Sequence, residues 1–183
     1  MAITHTNRDR VRTNAEVRRL LGRPEELAAR DRIIIRKNQR QAGVFNGEIF
    51  SVESVEAVEE FRKVRARLDG IPDAPIVHFV VSPEFLASAT KDDFERESLR
   101  LGERMDRLRG SDSVPGPLAG LHLVNVQFGY TITAHASQGS EAEEVGVAWT
   151  PGSHGNRFSE ARSWLYTAVT RAQKSLTIWS GGL

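Results

Sequence analysis

"GYTITAHASQGSEAEEVGVAW", Gly129 to Trp149, is the stretch on which the reading of this chain turns. Its first half is small and polar, as in a turn or short helix. Its second half ends in "EVGVAW", the apolar alternation of a buried strand. Between them lie His135, Ser137, Gln138, Gly139, Ser140 and Glu141. Such a polar cluster fits a loop at the end of a sheet strand, where ligands bind in open α/β sheets and N–H groups and hydroxyls can hold phosphate oxygens. The plainer alternative is a short helix closed by Gly139, with Ser140 capping a turn.

Outward from this stretch, "LHLVNVQF" (121–128) predicts a strand, "SEARSWLYTAVTRAQK" (159–174) a helix and "SLTIW" (175–179) a last strand, with "PGSHGNR" (151–157) a loop. Strand, helix, strand, helix, strand is the rhythm of an α/β layer with a parallel sheet. At the other end, "AITHTN" (2–7) reads as a short strand. "NRDRVRTNAEVRRLLG" (7–22) reads as a helix closing at Gly22, with Pro24 just beyond. The two chain ends, 1–30 and 119–183, therefore build one α/β domain. The middle, 31–85, alternates short β-branched runs with turns and reads as a small β-barrel. The segment 86–118 holds an exposed helix, "KDDFERESLRLGERMDRLRG", with Phe94, Leu101, Met105 and Leu108 at helical spacing. It ends in a Gly/Pro-rich linker, "GSDSVPGPLAG".

Composition narrows the function classes. The chain has 183 residues, 39% hydrophobic and 27% charged, as expected of a folded globular protein. It has no cysteine, which excludes disulfides, thiolate zinc sites and a cysteine nucleophile. The five histidines show no metal-ligand spacing, so no metal site is expected in the chain itself. No apolar run approaches the ~20 residues of a membrane span. The first residues lack the apolar core of a signal peptide, so a cytoplasmic location is expected. Net charge is +1. Residues 1–40, however, carry ten Arg and one Lys against five acids, a local +6. A basic end on a near-neutral chain suits nucleic acid, and it suits a solvated helix face equally.

The last helix brings Ala161, Trp164, Leu165, Ala168, Val169 and Ala172 onto one face, with Ser159 as its N-cap. Arg171 falls at the edge of that face, near the helix C-terminus, beside Thr167 and Thr170. A cation there complements the helix dipole. A planar, always charged guanidinium there can also reach a phosphate.

Taken together, "YTITAHASQGSE" and "LYTAVTRAQKSLTI" resemble motifs V and VI of superfamily 1 DNA helicases, in the RecD-like and Dda-like branch. Tyr130, Thr133, His135, Gln138, Gly139, Ser140 and Glu141 fill the first motif. Tyr166, Thr167, Ala168, Thr170, Arg171 and Ala172 fill the second. "ITHTNRDRVRTNAEVR" resembles the Thr-Asn…Asn segment that opens the second motor domain, and "RKNQRQAGVFNGEIFSV" the start of its inserted SH3-like barrel. The resemblance is weakest between about 56 and 118.

The resemblance implies a RecA-like parallel-sheet domain, termed 2A, carrying an SH3-like barrel, termed 2B. It implies that Arg171 is an arginine finger toward the γ-phosphate. Gln138, Gly139, Ser140, Glu141 and Thr170 would lie near the nucleotide, and Thr6, Asn7, Thr133 and His135 would hold phosphates of single-stranded DNA. ATP and Mg²⁺ would be bound mainly by a first motor domain, 1A. Two departures qualify this. Ala136 stands where the family usually has Lys. The chain contains no Gly-Lys dipeptide, hence no Gly-x-x-x-x-Gly-Lys-Ser/Thr phosphate loop, and no apolar strand ending in Asp-Glu. The chain is therefore expected to hydrolyse ATP only when completed by a 1A domain. The alternative is a helicase-derived module that binds single-stranded DNA or protein without motor activity. A hydrolase built on His135 and its neighbouring serines lacks the Gly-x-Ser-x-Gly elbow.

Overall fold

The computed structural model describes residues 1–87, 91–111, 115–137, 141–149 and 158–180, with the backbone alone at 87, 91–98, 158–159 and 180. In chain order the elements are β1 (Ala2–Thr4), α1 (Asn7–Leu20), β2 (Arg32–Ile35), β3 (Ile49–Val58), β4 (Phe61–Leu68), β5 (Ile76–Val81), α2 (Pro83–Ala87), α3 (Lys91–Arg109), β6 (Val126–Phe128), β7 (Thr131–Thr133), β8 (Ala142–Trp149), α4 (Phe158–Val169) and β9 (Ala172–Ser180). Short 3-10 turns occur at Arg40–Ala42 and His135–Ser137. The chain divides into two compact units, Met1–Leu21 with Tyr130–Leu183, and Gly22–Gly129.

The first unit is a four-stranded sheet in the order β7-β1-β8-β9, and every pairing in it is parallel. α1 starts where Thr6 caps it. The Thr6 hydroxyl accepts from Asp9 N–H at 3.0 Å and donates to the Asp9 carboxylate at 2.7 Å. Asp9 in the first turn and Arg18 and Arg19 in the last complement the helix dipole. The helix ends at Leu21, whose N–H reaches Val17 O, and Gly22 follows at φ +64°. Under α4 lies a core of Ile3, Ala134, Val145, Val147, Trp164 and Ala168. The helical spacing of Trp164 and Ala168 and the alternation of Val145 and Val147 put these side chains on facing surfaces.

The second unit is a five-stranded antiparallel sheet in the order β5-β4-β3-β2-β6. Its alternating strands bury Ile33, Ile35, Phe50, Val52, Val64, Ala66, Phe79 and Val81 in one cluster. A bulge at Glu53 interrupts the β3–β4 register, and the Glu53 carboxylate there receives both Arg65 and Arg67, at 3.0 and 2.9 Å. Val80 N–H donates to His122 O and Val80 O accepts from Val124 N–H, while β6 pairs with β2. The segment 122–128 thus touches both edges of the sheet. α3 packs Leu101 and Met105 into a second cluster with Phe61, Val80, Phe85 and Leu118.

Four expectations change. The strand predicted at "LHLVNVQF" shortens to β6 and pairs antiparallel with β2, so it is no part of the parallel sheet. The parallel strand is the next one, β7, whose Thr131-Ile132-Thr133 is too short and polar to stand out in sequence. Pro83 does not merely close β5; it begins α2, as suits a residue with fixed φ at a first helical position. The linker at 110–120 is partly packed. Gly116 N–H donates to Arg109 O at 2.7 Å, and Leu118 is fully buried. Finally, α4 spans Phe158–Val169. Ser159 therefore lies inside it and not at its N-cap, and Ala172–Lys174 belong to β9. The loop expected at 151–157 lies outside the described residues.

Candidate functional site

The parallel register sorts the candidate residues into two groups. Thr4 is level with Thr133 on neighbouring strands, so their chains leave the sheet side by side at its C-terminal edge. There Thr6 caps α1, and Asn7 is the exposed first residue of the helix. Thr133 is 9% exposed, and its hydroxyl accepts from Ala136 N–H at 3.4 Å. His135 is exposed and opens the 3-10 turn, whose Ser137 hydroxyl bonds back to Ala134 O at 2.7 Å. Thr6, Asn7, Thr133 and His135 are thus brought to one edge. The N-terminus of α1 lies there as well, capped by the Thr6 hydroxyl and carrying the Asp9 carboxylate in its first turn.

The second group lies at the opposite edge. Ala142 is level with Ala172, and Ala142 N–H donates to Arg171 O at 2.9 Å. Gly146 is level with Ala2, and Ile3 with Val147. From the level of Ala142 to that of Thr4 is six strand residues, about 20 Å at ~3.3 Å per residue. At this far edge Glu141 is exposed and accepts from the Gln173 amide at 2.9 Å. Thr170 bonds to Tyr166 O at 2.9 Å and Thr167 O at 3.2 Å, closing the end of α4. Gln138, Gly139 and Ser140 lie outside the described residues.

Arg171 is in the turn between α4 and β9, past the helix where the sequence reading put it. Its Nε donates to Thr167 O at 3.1 Å and its Nη2 to Thr170 Oγ1 at 3.1 Å. The guanidinium here satisfies the carbonyl end of α4 and complements its dipole, which is the plainer of the two roles the sequence allowed.

Two features escaped sequence reading. The buried Asn14 side chain bonds both backbone groups of Thr131. Also, a cavity of about 340 Å³ opens at the C-terminal edge, lined among others by His5, His135, Glu160, Ser163, Trp164 and Thr167. The His5 and Trp164 rings meet edge to face, centroids 5.4 Å apart at 84°. Trp164 stands out in sequence only as a member of an apolar stripe, and His5 only as a histidine without a metal partner. Among the described residues no group of three or more His, Asp or Glu is arranged to hold a metal ion.

Residues 128–179 match the UvrD-like helicase C-terminal domain family. No curated protein matches the chain. Among solved structures, the chain resembles Bacteroides Pif1 bound to ssDNA, at TM-score 0.57 and 14% identity over 97% of this chain and 40% of that one. It also resembles the Pif1 helicase from Bacteroides in complex with ADP-AlF3 and ssDNA, at TM-score 0.56 and 14% identity over 97% of this chain and 39% of that one. The chain therefore spans about two fifths of the length of these helicases. Its parallel-sheet unit has the RecA-like helicase fold, and the whole has the fold of the C-terminal portion of a superfamily 1 helicase.

Proposed function

We propose that this chain is the C-terminal motor half of an ATP-dependent DNA helicase, a 2A domain carrying an SH3-like 2B insertion. Thr6, Asn7, Thr133 and His135 hold phosphates of a single strand. Arg171, with Gln138, Gly139, Ser140, Glu141 and Thr170, serves the nucleotide. ATP and Mg²⁺ are held mainly by a 1A domain carrying the phosphate loop, supplied by another part of the protein or by a partner. The observation that carries this reading is the separation of the two residue groups by the height of one parallel sheet. Thr133 lies at the first edge, and Glu141 adjoins Ala142 at the second. A strand-binding edge and a nucleotide-binding edge on one rigid element are what a motor that couples ATP to translocation requires.

Chemically, the first edge offers hydroxyls and an imidazole, which position a phosphate backbone without reading its sequence. The second edge offers a guanidinium whose Nε and Nη2 hold Thr167 O and Thr170 Oγ1, which fixes the position of its charge at the end of α4. In the finger role it neutralises charge on the transferring group, worth roughly 10³–10⁵ in rate in GTPases.

Two measurements test the reading. The chain should bind a fluorescent single strand with an affinity that falls as salt is raised. Mixed with the ATP-binding half, it should support DNA-stimulated ATPase activity that Arg171→Ala abolishes. Full ATPase activity with Arg171→Ala would remove the finger. Ala136, in place of the usual Lys, favours a second reading, a strand-binding module without motor activity. Strand binding with no ATPase in the completed assembly would select it.

A further inference from the structure

The turn between α4 and β9 is two residues long, Thr170 and Arg171. Thr170 N–H donates to Tyr166 O at 3.1 Å and Arg171 N–H to Ala168 O at 3.3 Å, while Arg171 O accepts from Ala142 N–H at 2.9 Å. The backbone of Arg171 is thereby pinned at both its N–H and its carbonyl, and the freedom left to the residue is in its side chain. Arg171 Nε donates to Thr167 O at 3.1 Å. A single bond at Nε is a pivot, about which the guanidinium plane can still turn. The second bond, from Nη2 to Thr170 Oγ1 at 3.1 Å, fixes that plane. The Thr170 hydroxyl turns its proton to the end of α4, toward Tyr166 O at 2.9 Å and Thr167 O at 3.2 Å, which leaves its oxygen in the acceptor role. Neither carbonyl depends on that proton, since Tyr166 O already accepts from Thr170 N–H and Thr167 O from Arg171 Nε. What the hydroxyl adds is an acceptor for Nη2.

We infer that Thr170 is a positioning residue, whose hydroxyl sets the plane in which Arg171 presents its charge. The inference rests on the finger reading of Arg171 for its effect on turnover, but not for the hold itself. A cation already oriented needs no rearrangement when charge builds on a transferring phosphoryl group, and a poorly aimed one loses much of its value. Thr170 thus serves the reaction through the guanidinium, without touching the nucleotide. The mark of that role is a loss in kcat at unchanged KM for ATP, because orientation counts in the transition state and not in ground-state binding. Serine meets the same requirement. Valine, of the same shape without the hydroxyl, does not.

Thr170→Val and Thr170→Ser, alone and combined with Arg171→Ala, test this. In the isotope-labelled chain, nitrogen relaxation should show a more mobile Arg171 Nε–H in Thr170→Val and an unchanged one in Thr170→Ser. In the motor completed by its ATP-binding half, Thr170→Val should lower kcat by about ten- to a hundredfold, the scale of a misplaced catalytic group, with KM for ATP unchanged. Thr170→Ser should recover most of that rate. On an Arg171→Ala background Thr170→Val should cost nothing further, since the group it aims is gone. A raised KM, or a loss that persists in that background, would put Thr170 at the nucleotide itself and overturn the inference. Full ATPase activity in Thr170→Val while Arg171→Ala is inactive would overturn it as well and leave the finger standing. Full activity in Arg171→Ala would remove the finger and, with it, the role of Thr170 in turnover. The hold itself would fall if Arg171 Nε–H were as ordered in Thr170→Val as in the parent chain.

Discussion

The Asn14 side chain pairs with both backbone groups of Thr131, donating to its carbonyl at 3.1 Å and accepting from its N–H at 2.9 Å. β7 is an edge of the parallel sheet, so its outward backbone groups lack a neighbouring strand. One carboxamide replaces that strand at the residue where it matters most, since Thr131 is fully buried. Asn14→Ala leaves a buried donor and acceptor unmatched and should cost about 2 kcal/mol or more. Thermal or urea denaturation measures the loss, and amide exchange should accelerate at Thr131. Unchanged exchange there would show that the pair contributes nothing to the edge.

Thr6 and Asn7 are adjacent yet should respond differently. Thr6→Ala removes the cap of α1 and should destabilise by about 1 kcal/mol. Asn7→Ala, at an exposed helix position, should leave stability within about 0.5 kcal/mol and weaken strand binding. Thr6→Ala, which also removes a proposed phosphate contact, should weaken strand binding as well, and denaturation separates the two variants. Unchanged stability in Thr6→Ala would contradict the cap.

Two glycines contrast in the same way. A Cβ on Gly116 would collide with the backbone carbonyl of Leu108, which α3 holds in place. Gly116→Ala should therefore cost about 2 kcal/mol or more through forced displacement of packed backbone. A Cβ on Gly146 would meet only the far ring atoms of Trp179, a side chain 52% exposed and able to swing aside. Gly146→Ala should cost under about 1 kcal/mol while altering tryptophan fluorescence. A larger loss at Gly146 than at Gly116 would reverse the assignment.

His122 gives a pH prediction. Burial, and then the nearby Arg109 guanidinium 3.4 Å away, hold its pKa below the ordinary histidine value. The folded state thus binds this proton less readily than the unfolded state does. Its contribution to stability is complete above the unfolded pKa, near ~6.5. It is lost as pH falls from there toward the lower folded value. Melting temperatures between pH 7.5 and 5 should decline, and His122→Asn should flatten that slope. An identical slope in the variant would assign the decline to other groups.

Much of the fold was legible because its signals are local. The β-branched run at Ile33–Ile35, the alternation through β3 and β4, and the Gly22 stop each follow from nearest-neighbour chemistry. What was missed depends on pairing. Thr131–Thr133 is three residues of no distinctive pattern, a strand only because β1 lies beside it. Val126–Phe128 carries a strong strand pattern, but pattern does not say which sheet will take it. The site shows the same limit. Motif residues such as Arg171 and His135 were visible as residue types. That they fall at opposite edges of one sheet follows from register, which no single stretch encodes. The corner of His5 and Trp164 joins residues 159 positions apart, and only folding reveals it.

β9 has a consequence for handling the protein. It is the other edge of the parallel sheet, nine residues long, with Leu176, Ile178 and Trp179 between 42% and 52% exposed. Lys174, paired with Glu143 at 2.6 Å, is the one cationic side chain along it. Edges of this kind recruit further strands, and a lysine is a common guard against it. Solubility of the isolated chain should accordingly hinge on Lys174. Lys174→Gln should lower the concentration at which the protein self-associates into β-rich aggregates, with the interior of the molecule untouched.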